Sequence, residues 1–150
     1  MMIKELIESD LSALLQLYAH LHDSDDPMPP KDVVAGVWDM IQRDPHLKYF
    51  GAFADKALVS SCTLSVIPNL TRGCRPYGVI ENVVTHPQYR RQGLGRAVLQ
   101  HALNDAWLAR CYKVMLLTGR KDEGIYMFYE SAGFDREAKQ AFLAKPSKIK

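Results

Sequence analysis

A chain of 150 residues, of which 47% are hydrophobic, has the length of one domain and enough apolar side chains for a sizeable core. Its formal net charge of +2 argues against bulk electrostatic binding of nucleic acid, which needs a strongly basic face. The three cysteines, Cys62, Cys74 and Cys111, are odd in number and widely spaced, so neither a disulfide framework nor a zinc site is expected. Reduced thiols in a cytosolic protein are the simpler reading. The start Met-Met-Ile-Lys-Glu-Leu-Ile-Glu lacks the basic and apolar regions of a secretory leader. No stretch reaches the ~20 apolar residues of a membrane span. A soluble, cytoplasmic protein is expected, with no metal, no membrane partner and no nucleic acid.

In chain order, residues 2–7 read as a first strand. Ser9 or Asp10 can cap a helix through residue 21, with Leu11, Leu14, Leu15 and Tyr18 at helical spacing. Residues 22–30 hold four aspartate or serine residues and three prolines and read as a loop. A second helix over residues 30–43 carries Val33, Val34, Val37, Trp38 and Ile41 as its apolar face, and Asp44-Pro45 ends it. Two strands follow, residues 49–54 and 58–67, joined by a hairpin turn at Asp55-Lys56. That pair is not the favoured Asn-Gly or Asp-Gly. A polar loop over residues 68–76 carries Arg72 and Arg75, and a third strand-like run spans residues 77–85.

Residues 93–110 have a broad helical stripe: Leu94, Val98, Ala102 and Ala106 beside Leu99, Leu103 and Trp107. A buried-type strand over 112–118 and a short helix over 122–132 come next, with Gly133 as a left-handed cap. Residues 140–144 read as a last strand, ahead of a basic tail over 145–150. Strands and helices in this order predict an α/β sandwich of layers.

The chemistry concentrates between the third of these runs and the helix after it. Arg90-Arg91-Gln92-Gly93-Leu94-Gly95-Arg96 places two glycines where backbone must approach a ligand, just ahead of unsatisfied helix N–H groups. That is a site for an anion such as a pyrophosphate. The same glycines also fit an ordinary strand-to-helix turn with solvated arginines. A P-loop is excluded by the missing Gly-Lys-Ser/Thr. The dinucleotide fingerprint is excluded because Val98 stands where its third glycine belongs.

The spacing Arg90-x-x-Gly93-x-Gly95 resembles the Q/R-x-x-G-x-G/A signature of the GNAT acetyltransferases. The run Val83-Val84-Thr85-His86-Pro87-Gln88-Tyr89-Arg90 is similar to the strand that precedes it in that family. Phe128-Tyr129-Glu130-Ser131-Ala132-Gly133-Phe134 resembles the family's F/L-Y-E-x-x-G-F helix end. The three matches stand in the family's order. The resemblance covers the second half of the chain strongly and the first half only in its pattern of elements. It implies a mixed central sheet of six to seven strands, with about four helices on both faces, in a single domain over residues 1–150.

The resemblance also implies acetyl-CoA as cosubstrate and a primary amine as acceptor. Val83, Val84 and Thr85 would hydrogen-bond the pantetheine arm, and Arg90, Arg91, Gln92, Gly93, Leu94, Gly95 and Arg96 would surround the pyrophosphate. A lysine-like amine has a pKa near ~10.4 and must lose a proton to attack; Glu81 is the candidate base. Strand alternation would put Glu81 and Val83 on one face. The family's proton-donating tyrosine falls on Tyr129, with Tyr126 one turn earlier in reserve. Asp122 stands where many members have a cofactor-binding asparagine, so that role is not carried over; Asp122 can instead cap its helix.

The acceptor is left open. Asp23, Asp25 and Asp26 suit a cationic amine or a merely solvated loop, whereas Arg72 and Arg75 suit a phosphate. Ile80-Glu81-Asn82-Val83-Val84 and Cys111-Tyr112-Lys113-Val114 resemble the glucosamine 6-phosphate N-acetyltransferases. A small-molecule amine acceptor and a homodimer are the implied partners. The rival reading is a non-catalytic acyl-CoA-binding sensor or regulatory module.

Overall fold

The computed structural model describes residues 1–147, and the chain divides into two compact units, Met1–Leu116 and the segment from Leu117 onward. In the first unit the elements are β1 (Met2–Glu5), α1 (Leu11–Tyr18), α2 (Lys31–Arg43), β2 (Leu47–Ala54), β3 (Ala57–Ile67), the short α3 (Thr71–Cys74), β4 (Tyr77–Thr85), α4 (Leu94–Leu108) and β5 (Val114–Leu116). The second unit contains α5 (Glu123–Ser131).

One mixed sheet runs β1-β2-β3-β4-β5. The first four strands are antiparallel neighbours, and β5 lies parallel to β4. Asp55 and Lys56 form the β2–β3 hairpin with φ of 48° and 69°. Both angles are positive, as a two-residue turn of the type I′ class requires, so the turn forms there without glycine or asparagine.

The two sheet faces are covered differently. On one, Leu6, Leu14, Leu17, Trp38, Phe53, Leu58 and Val84 form a buried cluster beneath α1 and α2. The Trp38 indole N–H donates to the Glu8 carbonyl at 3.1 Å, tying α2 to the turn before α1. On the other face α4 buries Leu94, Val98, Leu99, Ala102, Leu103 and Ala106. There the Phe50 and His101 rings meet edge to face at 5.0 Å, and Lys48 pairs with Asp105. Cys62 is fully buried on this side, and burial pushes its thiol up to about 12.

Several expectations change. Among the described residues the sheet has five strands rather than six or seven, and there are five helices, because α3 adds a turn in the loop of Arg72 and Arg75. Residues 140–144 form no strand. Phe142 and Leu143 are 90% and 78% exposed, so their apolar character has nothing to pack on. The last strand covers only Val114–Leu116 of the expected 112–118. In α2 only Trp38 of the expected apolar face is buried; Val33 and Val37 are exposed. Trp107 likewise faces outward at the end of the α4 stripe. Neither Ser9 nor Asp10 gives α1 a side-chain cap. Asp10 instead accepts from the Ile7 N–H at 2.9 Å and pairs with Lys4. Residues 148–150 of the basic tail lie outside the described residues.

In the second unit α5 closes as expected. The Asp122 carboxylate accepts from the Gly124 N–H at 2.7 Å. Gly133 adopts φ 103° and donates to the Glu130 carbonyl, while the Phe134 N–H reaches the Tyr129 carbonyl. These two bonds complete the helix-ending motif that glycine favours. Arg136 then binds both Glu123 and Glu130.

The tightest backbone approach in the core is at Gly51 of β2. A Cβ there would lie 2.5 Å from Leu58 Cδ1 and 2.6 Å from Leu6 Cδ2. Both leucines are buried, so Gly51→Ala forces two packed side chains to move at once. It should lower stability by about 1–3 kcal/mol, read as a reduced urea midpoint at unchanged m-value.

Candidate active site

β4 is regular only for its first half. Thr63 pairs with Glu81 and Ser61 with Val84, so one residue of β3, Cys62, faces two of β4, Asn82 and Val83, and a bulge is present. Asn82 makes the bulge with φ 53°, a left-handed conformation that asparagine tolerates better than most residues. The bulge overturns one premise of the sequence reading. Alternation across it is broken, and Glu81 shares its face with Val84, the cross-strand neighbours of Thr63 and Ser61, rather than with Val83.

A second irregularity sits on the other edge of the same strand. β5 pairs with β4 only from Gly78↔Val114 to Ile80↔Leu116. Beyond Ile80, no strand pairs with that edge of β4 among the described residues. The His86 N–H donates to the Val59 carbonyl at 2.8 Å, and Val84 is the other residue directed at β3. Ladder alternation therefore turns the backbone groups of Val83 and Thr85 to the open edge. Bulge and splay together leave a strand edge on which an extended ligand can pair as an added strand does.

The chain then passes through the turn Pro87–Tyr89, where His86 Nδ1 accepts from the Gln88 N–H. Arg90 does not project freely: its Nε donates to the Thr85 carbonyl at 3.1 Å, folding the loop back on the strand. Arg91 (φ 60°) and Gly93 (φ 80°) are both left-handed. The first intrahelical bond of α4 is from the Ala97 N–H to the Gly93 carbonyl at 2.9 Å. The amides of Leu94, Gly95 and Arg96 thus have no acceptor within the helix. No side chain caps them. Leu94 and Gly95 are buried, while Arg91, Gln92, Gly93 and Arg96 are exposed. The buried Leu94 anchors a loop whose backbone donors and two exposed arginines suit phosphate oxygens.

The structure thus brings Glu81, Val83, Val84, Thr85 and residues 90–96 onto one strand and the loop that follows it. Glu81 is exposed. Tyr129 belongs to the second unit, where its ring lies 5.1 Å from Phe128 and 6.3 Å from Phe134. Arg72 and Arg75 lie beside the first residues of β4. Both stand 5.8 Å over the Tyr112 ring, at the start of β4.

Sequence reasoning missed Asn82, Tyr18 and Thr63. Tyr18 ends α1, and its phenol has Thr63 and Asn82 as polar neighbours. The only available signal was an asparagine inside a β-branched run, a residue depleted from strand interiors.

Comparison with known proteins agrees with this geometry. The profile of the "Acetyltransferase (GNAT) family" matches residues 11–134. The glucosamine 6-phosphate N-acetyltransferase of Trypanosoma brucei brucei is 36% identical over 144 residues, spanning 94% of this chain and 93% of the relative. A solved chain from Agrobacterium tumefaciens str. C58, described provisionally as an acetyltransferase, superposes with a TM-score of 0.91 at 40% identity, over 97% of this chain and all of that one. A Trypanosoma brucei acetyltransferase structure follows at 0.78 and 34%, over 96% and 99%.

Gly93 offers a clean test of the loop. A Cβ there meets nothing within 4 Å, so Gly93→Ala acts through backbone strain alone. It should cost about 1–2 kcal/mol, and Gly93→Asn should cost less, both read by chemical denaturation.

Proposed function

The chain belongs to the GNAT acetyltransferase family, and from that premise we propose that it moves the acetyl group of acetyl-CoA to the primary amine of a small molecule, with the β4 bulge as the reacting centre. Enzymes of the family are acyl-CoA-dependent transferases, which favours catalysis over the rival sensor reading. The family match runs from residue 11 to residue 134 and so supports reading both units as parts of one acetyltransferase domain.

The observation that carries the proposal is the open edge of β4. The Val83 carbonyl and the Thr85 N–H pair with the amides of the pantetheine arm, with Val84 holding the strand to β3 between them, which leaves the Val83 N–H for the reacting carbonyl. The free amides of Leu94, Gly95 and Arg96, with Gly93 as the left-handed entry, receive the pyrophosphate. Arg91, Gln92 and Arg96 line it, and Arg90 keeps the loop folded through Thr85.

In the reaction the amine nitrogen attacks the thioester carbonyl carbon. The C–N bond forms as the carbonyl becomes an oxyanion, which the Val83 N–H at the bulge stabilises. Glu81, directly or through water, takes the amine proton. As the C–S bond breaks, the Tyr129 phenol gives its proton to the leaving thiolate.

The named T. brucei brucei relative acts on glucosamine 6-phosphate, so amino-sugar phosphates are the first acceptors to try. A homodimer is the expected assembly.

Isothermal titration should show binding of acetyl-CoA and CoA but not of ATP; failure to bind either CoA compound overturns the proposal. Thiol release against a panel of amines then identifies the acceptor. Tyr129→Phe should lower kcat by about 10- to 100-fold with little change in acetyl-CoA affinity, a loss typical of a removed general acid. Glu81→Gln should lower kcat similarly. Wild-type turnover in either variant removes that residue from the mechanism.

A further inference from the structure

Tyr18 and Thr63 bring two hydroxyls to the face of the sheet that carries Glu81. Thr63 is the cross-strand partner of Glu81 and is 5% exposed, in a strand otherwise buried by apolar neighbours. Tyr18 closes α1, which packs on both β3 and β4. Neither the Tyr18 hydroxyl nor Thr63 Oγ1 completes a hydrogen bond, and neither is accessible to water. Yet Thr63 and Asn82 are the side chains within hydrogen-bonding reach of the phenol, with Tyr49 and Cys62 also nearby.

Two buried hydroxyls left unpaired would each cost roughly 1–3 kcal/mol. Valine and phenylalanine would fill the same space without that cost. The donors and acceptors match as a chain: Thr63 O–H to the phenol oxygen, and phenol O–H to the Asn82 side-chain oxygen. Burial pushes the Tyr18 phenol well above its ordinary pKa, so it stands protonated as a donor. Asn82 is the residue whose left-handed backbone makes the bulge.

We propose that Tyr18 and Thr63 are positioning residues whose hydroxyls close on the Asn82 side chain as α1 seats on the sheet, pinning the β4 bulge and with it the direction of the Val83 N–H. The seating of α1 thereby sets the aim of the backbone group at the reacting carbonyl. Val83's catalytic use rests on the acetyl-transfer reading; the pin itself does not.

The test uses the full chain. Tyr18→Phe keeps the ring and removes the hydroxyl. It should lower kcat by about tenfold, the loss expected from one hydrogen bond near the upper end of its usual worth. KM for acetyl-CoA should change by less than about twofold, because Thr85 and the phosphate loop are untouched. The backbone amide resonances of Val83 and Val84 should shift in the same variant without ligand. Thr63→Val should shift them in the same direction and serves where Tyr18→Phe folds poorly. Asn82→Gly keeps the left-handed backbone but removes the pinned group, so adding Tyr18→Phe to it should cost nothing further. Wild-type kcat with unmoved Val83 and Val84 resonances in Tyr18→Phe overturns the pin, as do independent, multiplying effects of Tyr18→Phe and Asn82→Gly. Shifted resonances in a protein that turns over no amine would uphold the pin and reject the acetyl-transfer reading.

Discussion

A β-strand pairs on both edges only while its register holds, and β4 abandons register at Asn82. One extra residue opposite Cys62 turns the backbone of the next stretch out of the ladder, and β5 stops pairing at the same level, after Ile80↔Leu116. Unpaired strand edges are usually a liability, open to whatever other chain can add to them. Here the edge is short, it is bent by the bulge, and it runs directly into the loop of Arg90 and Gly93. The site proposed for an extended, phosphorylated ligand is thus made of irregular backbone. The proposed catalytic side chains are additions to it.

The rest of the first unit holds that irregularity in place. Ser60 Oγ donates to the Val84 carbonyl at 3.0 Å and meets Thr85 Oγ1 at 2.8 Å, so the strand is re-anchored immediately after the bulge. Ser61, also buried, gives its hydroxyl to the Phe50 carbonyl at 2.8 Å. These polar residues in the middle of a buried strand are satisfied by backbone, which is the condition for tolerating them. His20 and His86 stack edge to face at 4.6 Å, joining the chain after α1 to the end of β4. Below, α4 packs its small residues Ala102 and Ala106 flat on the opposite face, which fixes where its N-terminal amides stand.

Legibility from sequence followed the range of the interactions. Gly93, Gly133 and the Asp122 cap were readable because each answers a local backbone demand. So was the hairpin at Asp55-Lys56, through the strands that flank it. The family was readable only from the glycine loop together with its company, since two glycines before a helix also make an ordinary turn. The bulge was not readable: Ile80-Glu81-Asn82-Val83-Val84 looks like continuous strand, and the shift of register is imposed by pairing with β3. Residues 140–144 were misread for the converse reason. Apolar character suggests a strand, but a strand needs a partner edge, and Phe142 and Leu143 have nothing to cover them. Tyr18 was read as one more residue of a helical stripe, because spacing reports which face a side chain occupies and says nothing of what its hydroxyl meets there.

The change from antiparallel to parallel pairing between β4 and β5 has a consequence for biosynthesis. Strands β1 to β4 pair in sheet order, and the β2–β3–β4 meander needs only short connections, so these contacts become available as soon as the chain up to Thr85 has left the ribosome. β5 cannot join until the crossover containing α4 has been made. The first four strands, bulge included, are thus assembled before the loop of Arg90 and Gly93 is packed down by its helix. A nascent chain stalled after β4 would present the edge of Val83 and Thr85 bare, which makes this short stretch the place where a chaperone has most to protect.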